Sequence, residues 1–331
     1  LFGYGTAVIA GFLLTASRNW TGMATASGPE LAGLVSLWLA GQVGPWLPLP
    51  GPLIAVADLA FPLVLALSLL KPLWFGPNPV NRVFLGLLVA MAGASLLVHL
   101  QVLGITQSTA LFGDKLMLDL ILVTLLVVSG RVMPFFIQSA VPGAEPQVRP
   151  WVEGLTFALA ALWVLSDAAS HASPLTGALA LALAAVQALR LAGWHHPGVW
   201  ANPMLWVLSS GYLWLILGLA LNGLAHLGFI APFPALHALT VGTIGVFTLG
   251  MMARVTLGHT GRAMQAAPLV IGAFVALNLA ALVRVFAPLL WPPGYGGWLI
   301  LSAGLWTLAF GAFLWVHGPM LIAPRVDGRP G

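Results

Sequence analysis

The chain has 331 residues, 60% of them hydrophobic and only 6% charged, with a formal net charge of +4 and a mean hydropathy of +1.00. About a quarter of the residues in soluble domains are charged, so this composition excludes a water-soluble globule and predicts an all-α, polytopic transmembrane helix bundle embedded in a lipid bilayer. Basic residues scattered singly over many loops make no nucleic-acid surface, and the absence of cysteine excludes disulfides, iron–sulfur clusters and thiolate-held metals, leaving histidine, methionine and carboxylate as ligands.

In chain order, eleven apolar segments are predicted as helices: 1–16, 31–46, 52–74, 80–103, 111–137, 151–170, 174–193, 202–228, 233–257, 268–289 and 297–316. Pro, Gly, Trp and Asn mark the joints, as expected where helices meet the interface. The runs are too long and too continuously apolar for the alternating strands of a β-barrel. The first segment offers fewer than the roughly twenty apolar residues that span a bilayer before Ser17-Arg18-Asn19-Trp20. It is therefore expected to follow a further helix upstream of Leu1, making the chain an N-terminally truncated single transmembrane domain over 1–331.

Assigning loops alternately to two sides places Arg18, Lys71, Arg82, Arg131, Arg149, Arg190, Arg254, Arg262, Arg325 and Arg329 on one side, and Lys115 and Arg284 on the other. Cytoplasmic loops carry the excess of Lys and Arg, so the first side is expected to be cytoplasmic, together with the tail at 318–331. The pI near 10.1 thus reports topology. The same assignment puts His99, His171, His226 and His237 outside and His195, His196, His259 and His317 inside. Asp58 and Asp119 lie within a few turns of the outer ends of their segments. A carboxylate in hydrocarbon is costly, so both are expected to face an interior polar pocket.

The ninth segment is the most informative. It reads His237-Ala-Leu-Thr240, then "VGTIGVFTLGMMARVTLGHTGR", with a histidine at each end. At helical rise the two histidines lie roughly 33 Å apart, so they cannot share one metal ion. At 100° per residue, His237, Thr240, Ile244, Thr248, Met251, Val255 and His259 fall on one stripe, with Gly242, Gly245 and Gly250 admitting close neighbours. Such a stripe faces protein or a ligand. His237, His99, His226 and Met251 are the candidate metal ligands. The alternatives are ordinary ones: interfacial hydrogen bonding for helix-end histidines, which is the reading adopted for His171, His195, His196 and His317, and packing for Met251. Asp58 and Asp119 are read as partners or orienters of histidine.

The run "LHALTVGTIGVFTLGMMARVTLGHTGR" resembles the signature of the NnrS family, supported by "YGTAVIAGFLLTASRNWTG" from Tyr4, "SGRVMPFFIQSAVPG" from Ser129 and "ALRLAGW" from Ala188. The resemblance implies a bacterial inner-membrane protein of twelve helices, containing haem and copper and associated with nitric oxide metabolism and resistance to nitrosative stress. Nitric oxide or iron–nitrosyl species are then the expected partners. In the family a "WHxHEM"-like element precedes "LFGY", where this sequence starts, and a histidine often stands where this chain has Ser209. The residues carried over are His237, Met251, Arg254, His259, Gly261 and Arg262, with Arg131 and Pro134. On this reading His237 is an axial haem ligand, paired with an imidazole from the upstream element. His259 belongs either to a second site or, with Arg254 and Arg262, to the haem propionates, which guanidinium binds bidentately. The arginines serve equally as cytoplasmic anchors. A competing class is an ion or small-molecule transporter using Asp58, Asp119 and the nearby histidines, although no internal repeat is visible. A structural or sensory subunit is a third.

Overall fold

The structure is a computed structural model that describes residues 1–169 and 173–328. His171 and Arg329 therefore lie outside the described residues. Those described form helices and no strand. Eleven helices follow in order: α1 Tyr4–Thr21, α2 Pro29–Val43, α3 Gly51–Phe75, α4 Val83–Val102, α5 Ala110–Ala140, α6 Pro150–Ala169, α7 Pro174–Trp194, α8 Pro203–His226, α9 Phe233–His259, α10 Pro268–Leu290 and α11 Tyr295–Leu321. Each predicted segment corresponds to one of them. The last helix runs on to Leu321, beyond the expected start of the tail.

The joints follow from local chemistry. Proline in the first turn opens α2, α3, α7, α8 and α10, where its missing N–H and fixed φ match an unpaired helical start. Asn202 caps α8, its side-chain oxygen accepting from the Met204 N–H at 3.0 Å. Tryptophans at helix ends, among them Trp46, Trp74, Trp151 and Trp291, are exposed, as expected of rings at the interface.

Among the described residues nine helices, α3 to α11, are long and apolar enough to cross a membrane. The remaining two are α1, with Arg18 in its last turn, and the 15-residue α2. Because these two stand apart as a consecutive pair, the alternation of sides from α3 onward is the same with or without them.

Two compact units make up the chain, Leu1–Val127 and Val128–Gly331. In the first, α3 packs against α1, α2 and α4, and Leu65, Leu69, Leu73, Phe84, Leu88 and Met91 form its buried core. In the second, α8 packs against α7 and α9, and α10 pairs with α11. Leu205, Leu208, Leu215, Leu249, Phe274 and Leu277 are buried there.

The structure corrects the reading of α9. Its residues Ala238–Val246 are π-helical, with i→i+5 bonding that widens the turn. The Thr243 hydroxyl follows the same spacing, donating to the Ala238 carbonyl at 3.2 Å. The 100°-per-residue register is therefore lost between His237 and Phe247, and the predicted stripe is not one face. Ile244, Thr248 and Met251 are buried, whereas Val255 and His259 are exposed. The close approach expected at the glycines does occur, toward α8. A Cβ on Gly242 would stand 2.6 Å from the Trp214 ring, and one on Gly250 would stand 2.7 Å from Val207.

Candidate functional site

In the first unit the structure joins two of the predicted residues. Ser95 and His99 lie one turn apart on α4, so both side chains reach the same neighbour. That neighbour is Asp58 of α3: Ser95 donates to its Oδ2, and His99 Nε2 is 3.0 Å from the same oxygen. The carboxylate is thus held by two polar partners, as an intramembrane acid must be. With Nε2 directed at a carboxylate, His99 keeps Nδ1 for a proton or a ligand. Asp119 is buried on α5.

The second unit contains a like pair that sequence reasoning half missed. His226, at the end of α8, places Nε2 3.1 Å from Asp167 Oδ1 on α6, and both side chains are buried. Asp167 belongs to a buried or half-buried line on α6, Glu153, Thr156, Ala160, Trp163 and Asp167, spaced 3-4-3-4 along one helical face. Its partners come from α7 and α8. Trp163 Nε1 donates to Asn222 at 3.3 Å, and Ser166, beside this line, shares a 2.6 Å hydroxyl bond with Thr176. That spacing of polar residues within an apolar run was the signal available.

At the other end of α6 lies a larger network. Arg190 of α7 is 2% exposed. Its Nε donates to Glu153 Oε1 at 2.7 Å and its Nη2 to Glu153 Oε2. Its Nη1 lies 3.4 Å from the Tyr212 hydroxyl and 3.5 Å from Gln187 Oε1. Tyr212 donates to Gln187 at 2.6 Å, and Gln187 to Thr156 at 3.2 Å. The Trp194 ring lies 4.9 Å from the guanidinium carbon. Gly130 of α5 faces the same guanidinium, and a Cβ there would overlap it. Two separate stretches of sequence, "SGR" and "ALRLAGW", therefore meet at one buried cation.

Along α9 the predicted residues are spread out. His237 is half-buried, and its ring makes no hydrogen bond to any described residue. Met251 is buried in the helix core. Arg254 is 7% exposed, with its guanidinium 3.9 Å from the centre of the Phe136 ring. It stands roughly 20–25 Å along the helix from His237, further than the iron and propionates of a single haem. His259 is exposed.

The "GHTGR" element proves to be a helix stop held by the chain's C-terminal segment. Gly261 takes φ +73°, the left-handed conformation that closes a helix, and the Arg262 N–H returns to the Leu257 carbonyl at 2.9 Å. Arg325 donates to the His259 carbonyl at 2.8 Å and grips Asp327 at 2.8 and 2.6 Å. Asp327 in turn sits over Gly261, where a Cβ would meet its carboxyl carbon at 2.7 Å. Arg262 is half-buried, with Nη1 3.5 Å from the Thr260 carbonyl.

Among the described residues no three of His, Asp and Glu converge closely enough to hold a metal ion. Comparison with curated proteins and with solved structures gives no match. The sequence pattern of the NnrS protein family, however, matches residues 1–325, a span that includes all eleven helices, the α9 run with its two histidines and the clasped turn after it. The chain belongs to the NnrS family.

Proposed function

We propose that this chain is a haem-binding membrane protein of nitric oxide metabolism or nitrosative-stress resistance, in which His237 would hold the haem iron. Family membership links it to nitric oxide at the level of the family. The observation that carries the haem assignment is the state of His237: a half-buried imidazole with no hydrogen bond to the described residues, placed where α9 enters its π-helical segment. Irregular helical turns of this kind recur at functional sites, and neutral imidazole is the common protein ligand of haem iron. His99 and His226, by contrast, already direct Nε2 at a carboxylate.

When bound, haem would supply an iron that coordinates nitric oxide reversibly. The chain's own part is to present the His237 nitrogen from a helix fixed against α8 by Gly242 and Trp214. Copper is a separate matter. Without cysteine, a copper ion would draw on imidazole and thioether donors, for which His99, His226 and Met251 are the candidates, the two histidines each through the ring nitrogen not directed at a carboxylate. The basic-residue asymmetry supports an inner-membrane protein with its C-terminus in the cytoplasm.

The test is reconstitution with haem followed by optical spectroscopy. His237→Ala is expected to lose most of the Soret absorbance while keeping wild-type helicity and elution volume. Full haem content in the folded variant would rule out the ligand assignment. A transport reading draws on the Asp58–Ser95–His99 cluster, a polar group inside apolar helices. It requires ion flux from haem-free protein in liposomes, abolished by Asp58→Asn.

A further inference from the structure

Two buried arginines in the second unit show opposite states. Arg190 has its guanidinium matched by a bidentate carboxylate, a phenol and an amide. Arg254 is comparably buried, yet its guanidinium donates no hydrogen bond to any described residue, and its Nη1 is sealed from solvent. One face of the ion is covered by the Phe136 ring, which supplies a cation–π contact but accepts nothing from the N–H groups at the edge. A buried charge without an acceptor is costly unless something meets it.

The chain's own acids in this unit do not meet it. Glu153 is committed to Arg190, Asp167 to His226 and Asp327 to Arg325, while Glu145 is exposed in the loop after α5. What a planar guanidinium best accommodates is a group with two acceptor oxygens, bound side by side. We propose that Arg254 anchors an oxyanion site in the last two turns of α9, taking a phosphate- or carboxylate-type group with Phe136 as its floor. The anion comes either from a free small ion or from a lipid headgroup phosphate. A haem ligated by His237 is too far along the helix to supply it, so the site stands whether or not the haem assignment does.

The experiment follows the thermal midpoint of delipidated protein in a neutral detergent, at constant ionic strength so that general screening is held fixed. One arm titrates inorganic phosphate against chloride; the other compares nanodiscs of phosphatidylglycerol with nanodiscs of phosphatidylcholine. Wild-type protein is expected to gain several degrees in at least one arm, and Arg254→Gln to gain none. A gain with inorganic phosphate identifies a free-ion site, and a gain with phosphatidylglycerol alone identifies a headgroup site. If Arg254→Gln does not fold, Arg254→Lys replaces it. Lysine keeps the charge but not the fork, and should weaken the concentration dependence at least tenfold. No gain in wild type, or an equal gain in the variant, overturns the proposal.

Discussion

Replacing Glu153 with Ala is expected to destabilise the protein by about 3–5 kcal/mol, the range found when one partner of a buried ion pair is removed. The two partners are not equivalent. The Arg190 side chain is 1% exposed and that of Glu153 is 22% exposed, so losing the acid strands a cation that water cannot reach, whereas losing the arginine leaves a carboxylate that can rehydrate. Arg190→Met should therefore be the milder change. The double variant Glu153→Leu with Arg190→Met should recover much of the loss, because apolar replacement of a whole buried pair is often neutral. Unfolding in detergent, followed by thermal or denaturant titration, gives the ordering. If Arg190→Met proved the more damaging single change, the network's value would lie in the contacts of Arg190 with Tyr212, Gln187 and Trp194 rather than in its neutralisation.

The contrast between helices and networks explains what was legible in the sequence. The eleven segments could be read because each depends on local quantities: a continuous apolar run, a proline in the first turn, a tryptophan at the interface. The carboxylate–histidine pairs depend on partners far along the chain, such as Asp58 with His99 and Asp167 with His226. Composition identifies the acids as expensive, but only packing selects the partner. Even so, Glu153, Thr156, Trp163 and Asp167 shared a readable face of α6, and the rule that flagged Asp58 and Asp119 applied to them as well. Arg190 reads in the sequence as a loop charge, although it is buried on α7 against Gly130. The α9 stripe is illegible for another reason: a fixed angle per residue does not hold across a segment whose bonding is i→i+5. The "GHTGR" turn draws the eye to its histidine and arginine, whereas its clearest structural role belongs to Gly261 under Asp327.

The π-helical segment makes the second large prediction. Deleting Thr240 shortens Ala238–Val246 by one residue and allows ordinary i→i+4 bonding to close through the gap. From Gly242 onward α9 is fixed by its close contacts with Trp214 and Val207 of α8, so the adjustment falls on the short end that carries His237. That end should turn by about 100°, the rotation of one α-helical residue. The expected result is a protein with wild-type helicity whose haem affinity falls at least tenfold, or about 1.4 kcal/mol, although every candidate ligand is still present. A deletion in the exposed loop after α5, at Gly143, is the control and should leave haem content unchanged. The comparison separates two roles that His237→Ala cannot distinguish. If the imidazole matters only by its presence, the Thr240 deletion keeps its haem. If the π turn exists to aim it, the deletion loses haem with His237 still in place, and the irregular helix, which looks like a packing compromise, is the element that sets the ligand's direction.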